Sequence, residues 1–130
     1  MKVNHIEELE KVLKNRRIPR HQICIVGSSV MSVYNLRQNN DIDIIMSLEE
    51  RSKISKQENS FKLSENIECV GVGWLHRLDN TTTDEDILFK ENNHFILDGF
   101  KYCNLDLLRK RKSLSGKEKD KKDMILIERY

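Results

Sequence analysis

Apolar positions along the chain switch between two periods. Ile6, Leu9, Val12 and Leu13 recur at helical spacing and predict a first helix over about His5 to Asn15, with Asn4 as its N-cap. Arg16, Arg17 and Arg20 around Pro19 end that pattern. Ile23-Cys24-Ile25-Val26 is wholly apolar and mostly β-branched, as in a strand covered on both faces. Gly27-Ser28-Ser29 closes it. Val30, Met31, Val33, Tyr34 and Leu36 then resume the helical period until Asn39-Asn40 breaks it. A second strand is predicted over Asp41 to Met46, and its opening alternation places Asp41 and Asp43 on one face.

Ser47 and Glu50 have the spacing of a capping box before a charged helix, about Leu48 to Lys56. Phe61-Lys62-Leu63 is too short to assign from pattern. Ile67 to Val72 predicts a third strand, and Thr83 precedes three acids as a candidate cap. His94–Leu97 and Phe100–Cys103 flank Asp98-Gly99, which is a hairpin signature. The remainder reads as helix, with Leu105, Leu107, Leu108 and Leu114 before Ser115-Gly116 and Met124 to Ile127 after it. No repeat and no flexible linker divides these elements. The expectation is one α+β domain over residues 1–130, a small mixed sheet flanked by helices.

Composition narrows the function classes. Of 130 residues, 38% are hydrophobic and 34% charged, enough apolar content for one modest core. A net charge of +2 is too small to indicate nucleic-acid binding by itself. No apolar run reaches the roughly 18 residues of a membrane span. The charged start lacks a secretory apolar region, so a cytoplasmic location is expected. Cys24, Cys69 and Cys103 are isolated among apolar neighbours and read as reduced core thiols. The histidines show no ligand or triad spacing, and Ser28 and Ser29 lack the frame of a hydrolase nucleophile.

Candidate chemistry lies in Ile25-Val26-Gly27-Ser28-Ser29, twelve residues from Ser29 to Asn40, then Asp41-Ile42-Asp43-Ile44. This is strand, tight turn, helix, and a strand opening with two same-face carboxylates. Like charges so close repel unless a cation lies between them. Oxygen ligands of this kind suit Mg²⁺, which takes one or two carboxylates together with substrate phosphates. The free N–H groups after Gly27 suit a phosphate. An isolated Asp-x-Asp is commonly a solvated edge strand; the strand and Gly-Ser turn upstream favour the site reading.

Gly-Ser, a helix-length spacer and Asp-h-Asp-h (h, hydrophobic) together resemble the signature of the DNA polymerase beta-like nucleotidyltransferase superfamily, in particular its small single-domain bacterial members. The stretch from Leu105 through Lys112 to Lys119-Asp120-Lys121-Lys122-Asp123 is similar to their C-terminal helices. The two regions cover about half the chain. The resemblance implies Mg²⁺-dependent transfer of an NMP from an NTP to a hydroxyl acceptor. Asp41, Asp43 and a third carboxylate would be catalytic and hold the metal. Glu68 is the better-placed third acid and Asp98 its rival, although the Asp-Gly turn accounts for Asp98 fully.

Gly27, Ser28 and Ser29 would hold phosphates, with help from one or two of Lys112, Lys117 and Lys119. The acceptor stays open between a small molecule, a sugar, an RNA end and a protein hydroxyl. So short a chain lacks an evident acceptor domain, so a homodimer or partner protein is expected to complete the site. The competing expectation is a non-catalytic module on the same fold, binding a nucleotide or a partner in a regulatory or antitoxin-like role. A nucleic-acid binder using the basic C-terminal helices is possible but not indicated, because aromatic residues do not interleave with the charges.

Overall fold

A computed structural model describes residues 2–130. Its centre is the strand pair that the apolar runs predict. Strand β1 (Ile23–Val26) is buried along its whole length. It pairs antiparallel with β2 (Ile42–Met46), in a register that sets Val26 opposite Asp43. Beyond β2 lie β4 (Ile67–Cys69), parallel to it, and the antiparallel edge strand β3 (Phe61–Ser64). On the other side of β1 lie β6 (Phe100–Cys103), parallel to it, and the edge strand β5 (His94–Leu97). Among the described residues the six strands form one mixed sheet in the order β3-β4-β2-β1-β6-β5. The fold is α+β, as the pattern predicts.

Helices cover this sheet. They are α1 (Ile6–Arg16), α2 (Ser28–Val33), α3 (Leu48–Ile54), α4 (His76–Asp79), α5 (Asp84–Phe89), α6 (Leu105–Ser115) and α7 (Glu118–Glu128). The core runs from Leu9 and Leu13 on α1 through the β1 and β2 isoleucines to Ile87, Leu88, Leu108 and Ile127. All three cysteines are buried free thiols. No helix among the described residues is long and apolar enough to cross a membrane.

Several boundaries differ from the pattern. Asn4 does not cap α1. His5 occupies the cap position at φ 70° without a side-chain bond, because the Asn4 amide is engaged with Asn39, 35 residues away. Helix α2 ends early, at Val33, and the chain turns away at Asn35 with φ 59°, where the Leu36 amide closes back on the Met31 carbonyl; Asn39-Asn40 is not its terminator. Asp41 lies one residue before the β2 ladder, and β4 stops at Cys69. Phe61–Ser64, unassigned from the sequence, becomes a strand because β4 provides its partner. Local signals with their own chemistry match the structure. Ser47 Oγ accepts from the Glu50 amide, Thr83 and Asp86 form a reciprocal capping box, and Asp98-Gly99 turns the hairpin with φ 52° and 81°.

Candidate functional site

Strand directions bring the chemistry to one end of the sheet. β1 finishes there at Val26, β2 and β4 begin there, and β6 finishes there before entering α6. The register sets Val26, Asp43 and Glu68 side by side across three strands, so Asp43 and Glu68 share a face. Gly27 follows at φ 74° and ψ −145°, a conformation that excludes ordinary side chains. A Cβ on Gly27 would lie 3.4 Å from Asp43 Oδ2, so the carboxylate rests against this bare turn.

A cleft of about 180 Å³ opens here. Gly27, Ser28, Asp41 and Asp43 form one wall, and Arg111, Lys112, Lys117 and Lys119 contribute the opposing charge. Asp41 is exposed and Asp43 half-buried. Burial, followed by the neighbouring Asp41 and Glu68 charges, pushes the Asp43 carboxyl up to about 6, while Lys119 and Lys112 pull the other way. The basic residues of the lining, Arg37, Arg111, Lys112, Lys117 and Lys119, outnumber its acids, Asp41, Asp43 and Asp120.

The lysines divide by role. Lys112 is buried, and its ammonium is 2.7 Å from Asp123 Oδ2 and 3.1 Å from Asp120 Oδ1. Asp123 also takes a two-pronged bond from Arg37, at 2.7 and 2.9 Å. Burial alone would raise the Asp123 carboxyl; Arg37 and Lys112 hold it below its ordinary value instead. Asp120 also accepts from Ser115 Oγ. This cluster fastens α7 to α6 and to the segment before β2. Lys117 and Lys119 are exposed on the cleft rim and make no ion pair among the described residues.

Three other candidates lie away from the cleft lining. Ser29 is wholly buried, and its hydroxyl donates to the Asp41 carbonyl at 3.3 Å, so it supports Asp41 and does not face the cleft. Glu68 reaches Asp43 electrostatically but does not line the cleft. Its other neighbour across the strands is Lys62. Asp98 is at the opposite end of the sheet, because β6 runs parallel to β1 and starts at the hairpin turn. Among the described residues, no three His, Cys, Asp or Glu side chains converge as a metal cage.

Four contributors carried no recognisable signal. Asn39 reads as a helix breaker and Asp84 as a helix-start acid. Arg37 is a single charge in a polar segment, and Arg111 is one of four consecutive bases, Arg109 to Lys112. Asp84 is buried and accepts from the Gly73 and Trp74 amides at 2.9 and 3.0 Å, which sets Trp74 at the cleft. Arg111 donates from Nε to the Trp74 carbonyl at 2.6 Å, with its guanidinium 5.5 Å from the ring centroid. Comparison with protein-family models, curated proteins and solved structures finds no match for this chain.

Proposed function

We propose that this chain is a metal-dependent nucleotidyltransferase that moves an NMP from an NTP to a hydroxyl acceptor. One observation carries the reading: two repelling carboxylates, Asp41 and Asp43, share a cleft with a bare Gly-Ser turn and a cationic rim. The likeness of the Gly-Ser and Asp-h-Asp-h pattern to the DNA polymerase beta-like nucleotidyltransferases adds to it.

The donor set fits Mg²⁺. Two hard carboxylates that repel one another suffice where substrate phosphates fill other positions. Asp41 and Asp43 would hold the ion, which supplies neutralisation of the charge developing on the transferring phosphate. The Gly27-Ser28 turn would receive phosphate oxygens where a side chain would otherwise block them. Lys119 and Lys117 would bind the departing pyrophosphate. The acceptor oxygen bonds to the α-phosphorus, the bond to the β-phosphate bridge breaks, and a site carboxylate takes the acceptor's proton.

At about 180 Å³ the cleft is smaller than the roughly 300–1,000 Å³ of pockets that enclose whole ligands. It would enclose the phosphates and leave the nucleoside and acceptor outside. A second copy or a partner protein is the natural source of the missing walls. A second reading, a non-catalytic nucleotide- or partner-binding module, draws on Glu68, which lies outside the cleft, and on Asp120, the third acid of the lining, which is paired with Lys112.

The test is incubation with each α-labelled NTP, with and without Mg²⁺, reading pyrophosphate release and transfer of label to protein or added acceptors. Mg²⁺-dependent release that disappears in Asp41→Asn and Asp43→Asn is the expected result. Nucleotide binding without release would select the binding-module reading, and absence of both would overturn the first.

A further inference from the structure

The best-connected polar side chain near the cleft is one that lines no part of it. Asn39 is 1% exposed, yet every polar atom of its carboxamide is engaged. Its Nδ2 donates to the Asp41 carbonyl at 2.9 Å, to the Asn4 carbonyl at 3.1 Å and to Ser29 Oγ at 3.3 Å. Its Oδ1 accepts from the Asn4 amide at 2.9 Å and from Ser32 Oγ at 3.0 Å. Its main chain is held too, by Ser32 Oγ at 2.8 Å and by Asn4 Nδ2 at 2.8 Å.

Asp41 needs such support. It precedes the β2 ladder, and the peptide that follows it is held at both ends. The Ile42 N–H donates to the Asn66 carbonyl at 2.9 Å, and the Asp41 carbonyl accepts from Asn39 Nδ2 and Ser29 Oγ. That carbonyl belongs to the peptide plane joining Asp41 to Ile42, and this plane determines whether the Asp41 side chain stays on the face of Asp43. Burying an amide is costly unless it is fully bonded. A carboxamide meets the requirement here because the site needs donors on one side and an acceptor on the other.

We propose that Asn39 is a positioning residue. By bridging α2, the segment around Asn4 and the Asp41 carbonyl, it keeps the Asp41 carboxylate beside Asp43. The role in metal binding rests on the nucleotidyl-transfer reading; the hold on the Asp41 main chain does not.

The experiment compares Asn39→Ala, Asn39→Asp and Ser29→Ala with Leu9→Ala, a core variant of α1 that serves as a stability control. Asn39→Asp keeps the shape and the acceptor but loses every side-chain donor. Ser29→Ala loses only the weaker donor and provides a milder variant should the others not fold. Amide hydrogen exchange of the ligand-free chain is read at residues 40–43 and across β6, and Mn²⁺ affinity is read by electron paramagnetic resonance with the metal alone. The Asn39 variants are expected to speed exchange at 40–43 by at least about tenfold with β6 unchanged. They are also expected to weaken Mn²⁺ binding by about 10- to 100-fold, the usual effect of removing a ligand's supporting partner. Ser29→Ala follows in the same direction with smaller changes, and Leu9→Ala loses melting temperature without either effect. Folded Asn39 variants with wild-type exchange at 40–43 overturn the proposal, as does a Leu9→Ala chain showing the same local pattern. A wild-type chain that neither binds Mn²⁺ nor transfers nucleotide removes the nucleotidyl-transfer reading instead, and the exchange pattern then decides Asn39's role by itself.

Discussion

Asp43 is held where its charge is unwelcome. Its folded pKa lies above the ordinary 3.8, at about 6, chiefly because it is buried and then because Asp41 and Glu68 repel it. A carboxyl raised on folding adds no penalty below its unfolded value. The penalty grows as pH rises between the two values and is complete above the folded one. At about 1.4 kcal/mol per pH unit, ionised Asp43 costs the ligand-free fold about 3 kcal/mol at pH 7. Asp43→Asn is therefore expected to raise the melting temperature at pH 7 and to leave it little changed at pH 3.5, while abolishing Mg²⁺-dependent transfer. A lower melting temperature at pH 7 would mark Asp43 as a structural residue. Gly27 has the opposite character. At φ 74° and ψ −145° any side chain is strained, so Gly27→Ala is expected to cost about 1–3 kcal/mol in denaturant unfolding, whatever it does to phosphate binding.

Short elements around the cleft rely on single carboxylates. Helix α5 has only six residues, so its own hydrogen bonds hold it weakly. The Thr83–Asp86 capping box closes its start, and the adjacent Asp84 turns back to bind the Gly73 and Trp74 amides. Asp84→Ala would leave two buried donors without partners, at a cost of about 2 kcal/mol or more. Trp74 is the chain's single tryptophan, so its emission reports the local effect directly. The expected result is a red-shifted spectrum in native buffer with far-ultraviolet circular dichroism retained. An unshifted spectrum would mean that packing, and not Asp84, holds Trp74 in place.

Across the whole molecule, the charge cluster of Arg37, Lys112, Asp120 and Asp123 joins segments that are 86 residues apart in sequence. Removing one partner of a buried pair leaves an uncompensated charge and typically costs about 3–5 kcal/mol. Asp123→Ala is therefore expected to unfold at clearly lower urea concentration than wild type, and Lys112→Met with Asp123→Leu together to recover part of the loss. If the double variant is as unstable as the sum of the singles, the two residues act independently. Asp120 and Asp123 both have depressed folded pKa values, so their stabilisation is present above the ordinary carboxylate range and is lost as pH falls through the folded values. Acid thus weakens the α6–α7 junction while relieving Asp43. The α6–α7 junction and the repulsion at Asp43 respond to pH with opposite signs.

Much of this arrangement is legible in the residues themselves. Ile23–Val26 can only be a buried strand, Asp98-Gly99 favours a tight hairpin, and Thr83 carries its own capping partner three residues on. The spacing from Gly27 to Asp43 marks the candidate site because strand, turn and strand start are all local events. Contacts between distant segments are not encoded in that way. Asn4 looks like a cap until Asn39 competes for it, and only the fold shows that the Ser29 hydroxyl turns to the Asp41 carbonyl and away from the cleft. Lys112 reads as a candidate phosphate ligand, yet it is buried against two carboxylates from the next helix. Phe61–Ser64 becomes a strand only beside β4. Glu68 and Asp98 are equally acidic in sequence; only the parallel pairings, β4 on β2 and β6 on β1, set the first beside Asp43 and carry the second to the far end of the sheet. Local propensity depends on near neighbours and can be read along the chain, whereas the direction in which strands pair depends on the packing of the whole core.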